Sequence, residues 1–146
     1  MKASGKRGFN PEPPIRFAIG DQSGMPLQDA MDERYEGLVG RDDGVFLGCD
    51  CTAISLRIEW PEYRGWNRHI NTVDWKKPRG PITRSKLAFK IAKIIDLFIK
   101  SNQGMVISDE CWRVGNGHIE LKDLILGSIE HVTKGSWQPQ IFVMRP

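Results

Sequence analysis

A single change of hydrophobic period constrains this chain more than any other feature. Ile54, Leu56, Ile58 and Trp60 alternate with Ser55, Arg57 and Glu59, which puts the two sets on opposite faces of a half-buried strand. From Arg84 the recurrence turns helical. Leu87, Ile91, Ile94, Ile95 and Phe98 share one side, while Lys86, Lys90, Lys93 and Lys100 fall on another. Between the two patterns stand Pro61, which cannot donate to a ladder, a turn at Glu62-Tyr63-Arg64-Gly65 and a second extended run over 66–75. Ile70 and Val73 break strict alternation there, so a bulge or an end near Thr72 is expected. The stretch predicts a β-hairpin and then a helix over 84–101. Thr83 caps its N-terminus, and Asn102 or Gly104 takes the left-handed position at its end.

Outside this stretch the signals are shorter. Residues 1–14, rich in Gly, Pro and Lys, read as a disordered basic tail. An extension over 15–53 holds a short strand at 15–19, a modest amphipathic helix from Pro26 that ends by Gly37 or Gly40, and a short apolar run at 45–47. Residues 111–114 and 118–121 read as a strand pair about the turn Gly115-Asn116-Gly117. The mixed spacing of Leu121, Leu124, Ile125, Ile129 and Val132 reads as a helical turn or two, weakened by Gly127. A final strand spans 137–144, and Pro139 suggests that its pairing begins only at Gln140.

From residue 54 the order is hairpin, long helix, short strand pair, compact helical turn, final strand. That is the element order of a β-grasp (ubiquitin-like) domain, in which one helix crosses a mixed sheet. The expected fold is therefore α+β, with a β-grasp-like domain over 54–146 behind an N-terminal helical extension. The chain ends Val143-Met144-Arg145-Pro146, without the Gly-Gly of a conjugated modifier.

Composition narrows the function classes. At 146 residues the chain fits one core. No run approaches the ~18 apolar residues of a membrane span, and no apolar segment follows Lys2, Lys6 and Arg7 to make a secretory signal. Three cysteines without a regular framework favour reduced thiols in an intracellular protein, in cytoplasm or nucleus. The net charge of +3 hides a division. Residues 16–62 carry ten acids against four bases, and residues 64–100 ten bases against two acids. These halves either attract each other within one fold or leave a basic patch for an anionic partner.

Three phrases are distinctive: Trp60-Pro61-Glu62-Tyr63 with Trp66, Pro81-Ile82-Thr83-Arg84 with Lys86-Leu87-Ala88, and Gly135-Ser136-Trp137-Gln138-Pro139. They resemble those of an uncharacterised family of intracellular proteins from mushroom-forming fungi, over roughly the last two thirds of the chain. The resemblance implies a shared domain and no activity. In the family pattern a glycine typically stands where this chain has Glu62.

No catalytic or cofactor motif occurs. Cys49 and Cys51 lack the spacing of a zinc site, and Cys111 with His69, His118 or His131 completes one only by conjecture. The same thiol with His118 or His131 makes a nucleophile pair without an orienting third group. The expectation is no enzyme, no cofactor and no metal. Two surfaces remain. At the hairpin tip Trp60, Tyr63 and Trp66 stand with Arg64 and Arg68; they suit a partner or a stacked base, or simply pin the hairpin from within. On the helix, Phe89 and Leu97 interrupt Lys86, Lys90 and Lys93, which favours a protein partner. The expected role is a non-enzymatic protein–protein interaction module, with homo-oligomers allowed. The alternative is nucleic-acid binding through 64–100.

Overall fold

The structure, a computed structural model, describes residues 9–49, 51–75 and 79–144. Its N-terminal part holds four two-residue strands, β1 (Ile15–Arg16), β2 (Ala18–Ile19), β3 (Gln22–Ser23) and β4 (Met25–Pro26), and one short helix, α1 (Leu27–Met31). Then come β5 (Ala53–Ile58), β6 (Trp66–Asn71), β7 (Val73–Asp74), β8 (Gly80–Pro81), the long helix α2 (Arg84–Asn102), β9 (Leu124–Thr133) and β10 (Ser136–Val143). The main sheet runs β1-β9-β10-β5-β6, with β4 also on β9. Its neighbours are antiparallel except the central pair, where β10 runs parallel to β5. The fold is thus α+β, a mixed sheet with one long helix.

Alternation in β5 survives intact: Ile54, Leu56 and Ile58 are buried, with half-exposed residues between them. β6 ends at Asn71, and Thr72 turns the chain into the β7–β8 ribbon, one of the two resolutions expected. α2 spans 84–102 and buries Leu87, Ala88, Ile91, Ala92, Ile95, Phe98 and Ile99. Ile94 is only half buried. Two carbonyls of the acidic loop, on Asp43 and Arg41, accept the N–H groups of Arg84 and Ser85, so the helix's orphan donors are satisfied from outside as well as by Thr83. The Thr83 side chain accepts the Lys86 N–H at 3.3 Å. Thr83→Ala should cost about 1 kcal/mol in urea unfolding, the usual cost of losing an N-cap. Gly104 takes the left-handed conformation past the helix end, whereas Asn102 is buried and donates its side-chain N–H to the Phe98 carbonyl at 2.9 Å.

Several expectations are corrected. The region expected to be a helical turn after Leu121 is mostly β9, a ten-residue strand. Its pairing with β10 jumps between Gln140↔Ser128 and Ile141↔Leu126 and again at Ser136/Trp137. Gly127 and Val132 are therefore bulge residues, and the first of them shifts the phase of the buried side. That is why Leu124 and Leu126 are buried before the first bulge and Ile129 after it. Residues 111–114 form no strand. Asp109 caps a 3-10 turn at Glu110–Trp112, accepting the Cys111 N–H, and a lone bridge between Val114 and Ile119 closes the glycine turn. β10 starts at Ser136, ahead of Pro139, and pairs through it with β9. The sheet tolerates the proline because the ladder to β5 is confined to Ser136 and Trp137. The 45–47 run forms no strand. α1 stops at Met31 because Glu33 takes a φ of 58°.

Phe9 to Pro14 adopt no regular structure, yet they are attached. Phe9 packs edge-on to His131, whose Nδ1 accepts the Glu12 N–H at 2.9 Å. Residues 1–8 of the expected tail lie outside the described residues. Cys49 and Cys51 form a disulfide with Cα atoms 5.3 Å apart, where free thiols are expected from the sequence. Two-residue spacing along a strand is about 7 Å, so the loop draws them together. Cys111, the third cysteine, is exposed.

Candidate functional site: a basic groove beside the edge strand

The hairpin-tip aromatics point inward. Trp60 is buried, and its indole N–H donates to the Trp112 carbonyl at 2.9 Å. The Tyr63 hydroxyl accepts the Val114 N–H at 3.1 Å. Trp60, Tyr63 and Trp66 all meet the Phe98 ring, at centroid distances of 5.8, 5.8 and 5.4 Å. They anchor the hairpin to α2, and Trp60 and Trp66 meet through Phe98 instead of pairing directly. Arg64 and Arg68 stay exposed, with the Arg68 guanidinium 3.8 Å above the Trp66 ring. Glu62 sits at the turn with a φ of 77°, a conformation that glycine adopts without strain, and its carboxylate accepts the Ser108 N–H at 3.0 Å.

The helix residues are arranged differently. Lys86, Phe89, Lys90 and Lys93 line a groove of about 720 Å³. Its opposite walls are the β7 side, with Trp75, and the loop after α1, with Glu33 and Tyr35. A smaller hollow of about 240 Å³ continues it toward β6, lined by His69, Ile70 and Ile94 and sharing Asn71, Lys90 and Lys93. Leu97 lines neither cavity and is simply exposed, at 49%. Trp75, Tyr35 and Ile94 were not singled out as site residues in the sequence. Trp75 gives one signal, an aromatic beside Lys76 and Lys77 at the end of an extended run.

The charge division bears on this groove. One ion pair joins the acidic and basic segments among the described residues, Arg84 to Asp43 at 3.5 Å; Arg84 also donates to the Gly40 and Arg16 carbonyls. Lys86 pairs with Asp74 within the groove wall. Lys90 and Lys93 enter no ion pair among the described residues. Lys93 instead lies 5.4 Å from the Phe89 ring centroid, and Arg79 stacks at 4.2 Å on Trp75. Burial, and secondarily the Glu33 carboxylate, pushes the Tyr35 phenol above its ordinary pKa. That wall therefore offers a neutral hydroxyl. The groove combines flat apolar surfaces with an excess of positive charge, Lys90 and Lys93 standing across from the single carboxylate of Glu33.

Both ring nitrogens of His131 are engaged, by Glu12 and by the Lys134 carbonyl, while its ring stacks 4.6 Å from Trp137. The Asp109 carboxyl is held below its ordinary pKa first by a hydrogen bond from the Cys111 thiol and then by its backbone N–H. Among the described residues no three His, Cys, Asp or Glu side chains converge on a possible metal position. No helix there is long and apolar enough to cross a membrane. Comparison with family models, curated proteins and solved structures returned no match.

Proposed function

We propose that the protein is a non-enzymatic interaction module that binds a protein partner through the groove between α2, β7 and the edge of β6. One observation carries this reading: Phe89 and Trp75 share a groove with Lys90 and Lys93, two cations without a carboxylate partner among the described residues. Aromatic residues are enriched in protein-binding patches, whose apolar centre is ringed by a polar, solvent-accessible rim. We extend the proposal to the architecture, reading residues 54–146 as β-grasp-like. The strand order β6-β5-β10-β9 with a parallel central pair supports it, as does the position of α2 in the chain between the two hairpins. The hairpin tip is the weaker surface, since its aromatics are spent on Phe98.

Nucleic acid is the second reading, favoured by the stacked Trp75–Arg79 pair and the basic excess over 64–100. Affinity capture from lysate across a salt gradient, with a nuclease-treated arm, separates the two. Capture should persist after nuclease, and Lys90→Glu with Lys93→Glu should slow association by about tenfold, as a lost steering charge does. Capture that vanishes with nuclease or at modest salt would overturn the protein reading.

A further inference from the structure

The main sheet ends on β6, and the parity of that edge can be read from its hydrogen bonds. In an antiparallel ladder, backbone groups point alternately toward the partner and away from it. Thr72 donates its N–H to the Thr52 carbonyl across the hairpin at 2.9 Å, so positions of even number in β6 face β5. Ser55, opposite His69, agrees: its N–H turns the other way, to the Gly135 carbonyl at 2.8 Å. The backbone N–H and C=O groups of Asn67, His69 and Asn71 therefore point outward. The Asn67 carbonyl is taken by the Arg68 guanidinium at 2.9 Å. Among the described residues no strand covers His69 or Asn71.

That open edge lies over the smaller hollow, which holds Ile70 and Ile94 at its floor with Lys90 and Lys93 beside them. We infer that β6 accepts an extended acidic peptide from a partner protein as an additional strand. The peptide backbone bonds to His69 and Asn71. Its alternate side chains enter the hollow against Ile70 and Ile94, and its carboxylates meet Lys90 and Lys93. Strand addition of this kind draws affinity from main-chain bonds and specificity from alternate side chains. Acidity follows from the charge of the site: Arg64 precedes the strand and Arg68 lies within it, and the segment around it carries ten bases against two acids. A second copy of this chain would set like charges against each other. A deoxyribose-phosphate backbone offers acceptors alone and leaves the outward carbonyls of His69 and Asn71 without main-chain donors.

This inference rests on the interaction-module reading and adds the mode and chemistry of the partner. The test pans a displayed library of random linear peptides on the full chain and on a His69→Pro variant. Proline at 69 removes one outward N–H and spares the β5 ladder, a position where edge strands tolerate it; thermal unfolding checks the fold. Enriched peptides should alternate apolar residues beside Asp or Glu. They should bind His69→Pro, and the Lys90→Glu/Lys93→Glu pair, at least about tenfold more weakly. N-methylation of the peptide at alternate residues should weaken binding equally, and methylation at the intervening ones should not, a comparison that needs no protein variant. No enrichment, or binding indifferent to both His69→Pro and alternate methylation, overturns strand addition. A wild-type dimer that His69→Pro dissociates in sedimentation also overturns it, by giving the edge to a second copy. If a nuclease-resistant partner is retained by His69→Pro, the module reading stands and the edge assignment falls. If capture is lost to nuclease, both fall.

Discussion

Replacing Phe98 by alanine should remove about 3–5 kcal/mol of stability, the range for deleting a buried aromatic ring. The side chain is fully buried and receives Trp60, Tyr63 and Trp66 from the hairpin. Its loss leaves those rings facing a void too wide for them to close. Domains of this kind are held by only about 5–15 kcal/mol, so the variant should unfold at much lower urea, followed by tryptophan fluorescence. Leu97→Ala, one position earlier and exposed, is the control and should shift stability by no more than about 0.5 kcal/mol. A Phe98→Ala midpoint close to that of the control would show that the hairpin is anchored elsewhere.

Trp137→Ala should cost a similar ~3–5 kcal/mol, for a different reason. Trp137 is 2% exposed and sits in β10, paired with Leu56 on one side and His131 on the other. Its ring meets Phe46 edge-on at 5.3 Å and lies flat against His131, 12° from parallel. Removing it withdraws a contact from both neighbouring strands and from the platform that carries Phe9 and Glu12. Amide hydrogen exchange gives a second readout, because the Glu12 N–H is held by His131. That amide should exchange faster in the variant even under conditions where the core stays folded. Unchanged protection at Glu12 would mean that His131 holds its place without the tryptophan.

How much of this was legible in the sequence depended on whether one period persisted. β5 and α2 each keep a single period for at least six residues, and both emerged where expected. β9 is as long as any described strand, yet its bulge at Gly127 changes the buried side midway, so that Leu124, Leu126 and Ile129 are buried at a spacing that imitates a helix. The short 3-10 turn at Glu110–Trp112 was hidden by a polar cause. Cys111-Trp112-Arg113-Val114 has strand composition, but the Asp109 carboxylate competes for its backbone.

The groove was half visible. Lys86, Phe89, Lys90 and Lys93 share a helix face, and helical spacing finds them. Tyr35 and Trp75 come from distant segments, and only the closed fold brings them opposite. The hairpin tip illustrates the opposite difficulty. Trp60, Tyr63 and Trp66 look the same in sequence whether bare or covered, and the residue that covers them, Phe98, lies more than thirty positions away.

The parallel β5–β10 pair has a consequence for synthesis. β10 leaves the ribosome after every other described strand, yet it occupies the middle of the sheet between β9 and β5. Until then the β5–β6 hairpin and α2 lack their neighbour, and an isolated hairpin is marginal in water. Folding must wait for a contact that spans some eighty residues, from Leu56 to Trp137. Long-range closure of this kind slows folding, and it leaves the edges of β5 and β9 unpaired by β10 until the end of the described strands has been made.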